Sequence, residues 1–307
     1  MPGDPLFPAT RPRLVRQMVV GEGHMLYIEE CAAVDGLPLL FLHGGPGSGC
    51  SPSQRRLFDP ARYRAILVDP RGSGRSRPLG NTRANTTAHL VADLEYLREA
   101  LGIARWLVFG SSWGSLLALA YAQAYPERVR GLVLRGIFLG SRQEIATYAR
   151  DAASTADLPG GFPEEDALGP WLAAIMNNNP QQALAAISAW LDHERALMGF
   201  AALTEPPDAK QIARVRLQMH YLANDCFLPP DQLLTGVEQI RHLPAVIVHG
   251  LADPICPPRI AESLHHAWPE ANWWPVADAG HSALSPPIAR ACIDALNWVA
   301  GAEGALP

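Results

Sequence analysis

Apolar and polar positions divide this chain into two kinds of segment. Leu14–Val20, His24–Glu30 and Leu37–Leu42 are short enough, and apolar enough, to read as strands. Gly21-Glu22-Gly23 separates the first two and signals a hairpin. Ala65–Asp69, Trp106–Phe109, Gly131–Arg135, Ala245–His249 and Asn272–Pro275 follow. Several of these are compact runs containing Val and Ile, the pattern of strands covered on both faces of a mainly parallel sheet. Between them, Thr87–Leu101, Trp113–Tyr125, Arg259–Trp268 and Pro287–Val299 carry helical patterns. Alternation of this kind predicts the α/β class, with a mainly parallel central sheet and helices on both of its faces.

From about Gly140 to Glu238 the alternation stops and only helix-like segments appear. Asn179-Pro180-Gln181-Gln182 is a helix start, with Asn as cap and Pro in the first turn. That helix is expected to run through Trp190 to about Leu197, and a second to span Ala209–Leu222. The expected organisation is a core over residues 1–139, an inserted all-helical lid or cap over 140–238, and the remainder of the core over 239–307.

Composition narrows the partners. Of the 307 residues 48% are hydrophobic and 18% charged, enough for a large core. A net charge of -5 without blocks of like charge gives nucleic acid no basic footprint. The five cysteines, Cys31, Cys50, Cys226, Cys256 and Cys292, are odd in number and form no C-x-x-C pair. Reduced thiols fit that pattern better than a disulfide framework or a zinc site. Met1–Arg16 has no apolar core of a secretory signal, and no apolar run approaches the roughly 20 residues that span a bilayer. The expectation is a soluble, cytoplasmic protein with neither membrane nor nucleic acid as partner; its oligomeric state is left open.

The strongest chemical signal is Gly110-Ser111-Ser112-Trp113-Gly114, placed between the strand Trp106–Phe109 and the helix that follows. A G-x-S-x-G elbow needs that context, because the serine sits on a strained strand-to-helix turn and the glycines admit neighbouring backbone. A nucleophilic serine also needs a base, a carboxylate to orient it and donors for the oxyanion. Asp253 lies just beyond the strand Ala245–His249, and His281 lies in Ala279-Gly280-His281-Ser282 past the last strand. Taken singly, one could be a turn residue and the other a surface histidine. Together, in the order Ser, Asp, His, they read as a triad. The oxyanion donors are expected to be the N–H of Trp113 and one from His43-Gly44-Gly45-Pro46-Gly47, with Gly45 first and Gly44 second. A further loop, Asp69 to Ser76, reads as structural, with Asp69 and Arg71 expected to pair.

The chain resembles the proline iminopeptidase (prolyl aminopeptidase) family of α/β-hydrolases. The matching pieces are His43-Gly44-Gly45-Pro46-Gly47, Arg55-Arg56-Leu57-Phe58-Asp59-Pro60, Asp69 to Ser76, Ser112-Trp113-Gly114-Ser115, Leu134-Arg135-Gly136-Ile137-Phe138, Cys256-Pro257-Pro258 and Gly280-His281-Ser282. The resemblance implies the α/β-hydrolase fold and release of N-terminal proline from peptides without metal or cofactor. It implies Ser112, Asp253 and His281 as the triad, and Phe138 and Cys256 as lining of the first subsite. In the family, two lid glutamates hold the substrate's α-ammonium group. Glu194 keeps the spacing of one, four residues after Trp190. The other position holds Gln218, and Leu222 stands where an aromatic ring would enclose proline.

Gln218 is expected to accept through its amide oxygen without contributing charge, with Asp192 or Asp225 as possible replacements for the lost carboxylate. A hydrogen bond to an ion outweighs a neutral one by enough to weaken amine binding roughly ten- to a hundredfold. Three readings follow. The first is a hydrolase that removes N-terminal proline or another small residue from short peptides or aminoacyl amides. The second is an esterase or amidase acting on a small acyl substrate that needs no free amine. The third is a non-catalytic ligand-binding protein, for which an intact triad would be superfluous.

Overall fold

The computed structural model describes residues 3–153 and 166–302. The chain opens with three strands, β1 (Leu14–Gly21), β2 (His24–Ala32) and β3 (Leu37–Leu42), and continues through β4 (Tyr63–Asp69), α1 (Thr87–Ala100), β5 (Trp106–Ser111), α2 (Trp113–Ala124) and β6 (Val129–Arg135). Helices α3 (Arg142–Ala153), α4 (Gly169–Ile175), α5 (Pro180–Leu197), α6 (Ala209–Leu222) and α7 (Gln232–Thr235) come next. The chain then returns to the sheet with β7 (Ala245–Gly250), α8 (Pro258–Ala267), β8 (Asn272–Val276) and α9 (Pro286–Ala302).

The eight strands form one sheet in the order β1-β2-β4-β3-β5-β6-β7-β8. β1 pairs antiparallel with β2, and β2 antiparallel with β4; every later pairing is parallel. Alternate side chains of the central strands feed two cores. Leu40, Leu42, Val108 and Leu134 face α1, α2 and α8, whereas Phe41, Leu67, Phe109 and Val248 face α9. Burial on both faces explains why these strands read as continuous apolar runs. A third cluster, built around Trp171 and Trp190 with ring centroids 5.0 Å apart, holds α3, α4, α5 and α6 to one another.

Local signals place the elements well. Asn179 caps α5 by accepting from the N–H groups of Gln181 and Gln182, and Asp208 with Gln211 forms a capping box at the start of α6. Most strands run beyond their expected stretches, and β4 and β5 show why. β4 starts at Tyr63 because Tyr63 pairs with Leu37 and Arg64 with Ala32 and Pro38. β5 continues through Gly110 and Ser111, which pair with Leu134 and Arg135. In both cases pairing with distant strands prolongs the ladder where the local sequence is silent.

The loop after β4 departs from expectation. Asp69 pairs with Arg75, and Arg71 instead donates through Nε and Nη2 to Asp93 of α1 at 2.6 and 2.7 Å. Arg71 also donates to the carbonyls of Ala84 and Val20, so it pins the loop to two other parts of the chain. Asp69 meanwhile accepts from the Cys50 N–H at 2.6 Å. His43, Cys50 and Asp69 place ligand-type atoms within 4.8 Å of one another, but the Asp69 oxygens are engaged by Arg75 and Cys50. Burial also pushes the Cys50 thiol well above its ordinary pKa, so the cluster fastens the loop. All five cysteines are buried and unpaired. Among the described residues, no helix is long and apolar enough to cross a membrane.

Candidate active site

Ser112 stands between β5 and α2, where the strand must become a helix without an intervening loop. It does so at φ 57° and ψ -128°, a backbone conformation that L-residues seldom adopt. Close packing holds the strain. A Cβ on Gly114 would lie 2.1 Å from the Leu42 carbonyl oxygen, and one on Gly110 would lie 2.5 Å from the Gly114 oxygen. The two glycines of the motif are therefore the condition for α2 to start flush against the end of β3. Behind the turn, Ser115 Oγ donates to the Ser112 carbonyl at 2.7 Å and accepts the Phe138 N–H at 3.1 Å.

His281 reaches this serine from the loop after β8, its Nε2 lying 3.0 Å from Ser112 Oγ. Its Nδ1 lies 2.7 Å from Asp253 Oδ2. Asp253, in the loop after β7, accepts the N–H groups of Ile255 and Cys256 through Oδ1, both at 2.9 Å. Burial acts to raise the Asp253 pKa, yet the bond to His281 and its other partners hold it below the ordinary value. An ionised carboxylate only accepts, so the imidazole proton belongs on Nδ1 and Nε2 is left to accept from the serine hydroxyl. Burial lowers the His281 pKa, and Arg135 lowers it further, against the opposing pull of Asp253. The structure thus brings the three predicted residues into one hydrogen-bonded chain.

The candidate oxyanion donors flank the serine. The Gly44 carbonyl accepts from His43 Nδ1 at 2.6 Å. In a trans peptide the following N–H points the opposite way, so the Gly45 N–H faces away from the His43 ring. Gly45 has φ 136°, a region open to glycine. The N–H groups of Gly45 and Trp113, and that of Gly44, have no acceptor among the described residues. All three residues line a cavity of about 510 Å³ whose wall includes Ser112 and His281.

Phe138, Glu194, Gln218, Leu222 and Cys256 line the same cavity, so every residue assigned to the pocket from the sequence converges there. Their bonding differs from expectation. Gln218 Oε1 accepts the Trp190 indole N–H at 3.0 Å, while its Nε2 donates to Glu194 Oε1 at 3.0 Å. The amide oxygen is therefore engaged, and Gln218 presents donors to Glu194. Neither Asp192 nor Asp225 replaces the missing carboxylate. Asp192 accepts the Leu203 N–H and Asp225 pairs with Arg142, and neither lines the cavity.

Four contributors escaped the sequence reading. Arg135, at the end of β6, donates to the His281 carbonyl at 2.6 Å and so fixes that loop. His249 accepts the Ile137 N–H at 3.1 Å and bonds the Cys256 carbonyl at 2.8 Å, bracing the loop that carries Asp253. Tyr148, on α3, donates to Glu194 Oε1 at 3.0 Å. Arg214, on α6, pairs with Glu194 Oε2 through Nη2. The one signal available for Arg214 was its spacing, four residues before Gln218 on one helix face. Burial acts to raise the Glu194 pKa, but Arg214, Gln218 and Tyr148 outweigh it and hold the carboxyl below its ordinary value.

Comparisons with known proteins agree with this geometry. Residues 38–285 match the α/β hydrolase fold family. A proline iminopeptidase of Xylella fastidiosa is 42% identical over 92% of this chain and 95% of its own length. The proline iminopeptidase of Arabidopsis thaliana is also 42% identical, over 92% of this chain and 79% of its own. Among solved structures, a bromoperoxidase of Bacillus anthracis is similar with a TM-score of 0.67 at 20% identity, covering 94% of this chain and all of the other, a likeness of fold alone.

Proposed function

This chain belongs to the proline iminopeptidase family of α/β-hydrolases, and from that premise we propose that Ser112, His281 and Asp253 release the N-terminal residue, proline or another small one, from short peptides or aminoacyl amides. Ser112 Oγ attacks the carbonyl carbon while His281 Nε2 takes its proton. The Gly45 and Trp113 N–H groups receive the negative charge that develops on the carbonyl oxygen. His281 then gives the proton to the departing amine as the C–N bond breaks, leaving an ester on Ser112. Water, deprotonated by the same imidazole, cleaves that ester and restores the serine. Asp253 holds the imidazole in the useful tautomer and stabilises its protonated form.

One observation carries this reading: a single imidazole spans Asp253 at 2.7 Å and Ser112 at 3.0 Å on the wall of the cavity. Replacing Ser112 with Ala is expected to abolish labelling by a fluorophosphonate and hydrolysis of p-nitrophenyl esters and aminoacyl p-nitroanilides. Labelling of the variant at full stoichiometry contradicts the assignment.

The inserted helices are proposed to act as a lid over residues 140–238. In support, Glu194, Arg214 and Gln218 from that stretch line the cavity alongside Ser112 and His281. A cytoplasmic location is proposed on the five buried, unpaired thiols. A second substrate reading, an esterase or amidase acting on an acyl group without a free amine, rests on the pairing of Glu194 with Arg214. That pairing supplies inside the protein the positive charge that a substrate ammonium would otherwise supply.

A further inference from the structure

Of the carboxylates the sequence offered for holding a substrate amine, Glu194 alone lines the cavity, and the structure leaves it little capacity to do so. Oε1 receives the Tyr148 hydroxyl and the Gln218 amide, each at 3.0 Å, and Oε2 receives Arg214. Gln218 cannot turn its oxygen toward a ligand without releasing the Trp190 indole, which is buried among apolar side chains. Arg214 is positioned by its own helix. The backbone of α6 at Arg214 lies against the Gly44–Gly47 loop, where a Cβ on Gly47 would come within 3.1 Å of the Arg214 Cα and carbonyl oxygen. Only Nη2 of Arg214 has a partner among the described residues, so its other donors remain free, and Arg214 lines the cavity. Among the described residues the cavity is lined by four arginines, Arg135, Arg195, Arg214 and Arg259, and by two carboxylates besides Glu194, namely Asp151 and Glu144, the latter accepting the Leu139 and Ser141 N–H groups.

We propose that Arg214 takes the place of a substrate α-ammonium on Glu194 and turns this part of the pocket into a hydrogen-bond donor, so that it selects acyl groups bearing a carbonyl or carboxylate acceptor in place of a charged amine. An ammonium group entering here would meet a fixed guanidinium and a carboxylate whose charge is already matched. An acceptor would meet the remaining guanidinium N–H groups, which form stronger bonds to a carboxylate than to a neutral oxygen. The proposal rests on the serine-hydrolase reading and takes the second of its two substrate readings, an acyl group without a free amine, over the first.

The test compares kcat/KM for L-prolyl, N-acetyl-L-prolyl and N-succinyl-L-prolyl p-nitroanilides. Wild type is expected to turn over both blocked substrates at least as fast as the free amine, and the succinyl one fastest. Arg214→Met, which frees Glu194, is expected to shift the ratio of free amine to N-acetyl substrate by tenfold or more toward the amine. The double variant Arg214→Met/Glu194→Gln carries neither charge, is expected to fold if the single variant does not, and should lose the preference for succinyl over acetyl. A wild-type preference for the free amine above tenfold, or ratios within twofold of wild type in the variants, overturns the proposal. Failure of all turnover together with failure of fluorophosphonate labelling would sink only the hydrolase reading. Binding to Ser112→Ala then still decides the role of Arg214. Thermal stabilisation by N-acetylprolinamide above that by prolinamide supports it, and the reverse order refutes it.

Discussion

Gly114→Ala isolates the packing that aims the proposed nucleophile. The added methyl would sit 2.1 Å from the Leu42 carbonyl oxygen and 2.7 Å from that of His43, both backbone atoms at the end of β3. Ordinary contact begins at 3.4 Å, so the start of α2 and the end of β3 must part by about 1.3 Å. Those two segments carry Ser112 on one side and the Gly44–Gly45 loop on the other, hence the nucleophile and one oxyanion donor separate by a comparable amount. A misplacement of about 1 Å costs on the order of a hundredfold in rate, and forced overpacking costs roughly 1–3 kcal/mol of stability. Gly280→Ala is the matched control. It adds the same methyl beside His281, but its nearest contact is the Ala252 oxygen at 3.6 Å, so no displacement is required. With active sites titrated by fluorophosphonate, kcat/KM on a p-nitrophenyl ester should fall about a hundredfold in Gly114→Ala and stay near wild type in Gly280→Ala. Thermal unfolding should separate the two in the same sense. Equal rates and equal unfolding temperatures in the two variants would refute the reasoning.

Two further outcomes follow from the buried charges. Burial and Arg135 depress the His281 pKa below 6.5, and only the neutral imidazole can take the serine proton. Activity should therefore be full at neutral pH and be lost as the pH falls through a midpoint below 6.5; a kcat/KM profile with its acid midpoint above that value contradicts the assignment. Arg71→Met leaves Asp93 buried without its partner, where burial already raises the carboxyl pKa, and should cost about 3–5 kcal/mol in denaturant unfolding. Adding Asp93→Leu should recover the part due to the unpaired carboxylate but not that due to the lost bonds to the Ala84 and Val20 carbonyls, and a single variant within about 1 kcal/mol of wild type would show the pair to be dispensable.

That Ser112, Asp253 and His281 come together was legible in the sequence because each follows an apolar strand that declares itself locally. The elbow motif fixes Ser112, and the order Ser, Asp, His then leaves few candidates. What could not be read depends on side chains meeting across long stretches of chain. Nothing near Arg71 indicates that its partner is Asp93 on α1, and the closer Asp69 was the natural but incorrect choice. Gln218 likewise offers an oxygen and an amide on paper; which faces the pocket is decided by an indole 28 positions earlier in the chain. The extension of β5 to Ser111 has no local signal, since Gly110 and Ser111 are poor strand formers held by pairing with β6.

The placement of these errors has a physical basis. Every hydrogen bond within the triad comes from loops at the carboxyl ends of core strands, whereas Glu194, Arg214 and Gln218 come from helices inserted between β6 and β7. α6 joins the two. Near its middle, at Arg214, it lies against Gly47, and near its C-terminal end His220 and Tyr221 bond the carbonyl and side chain of Asn85 at 2.8 Å. Anchored at two places to core loops, α6 presents Arg214 and Gln218 to the cavity that Ser112 also lines. Substitutions on its inner face can then exchange the kind of acyl group admitted while the bonds that break it stay as they were. Reaction and selectivity are for this reason separable in the chain.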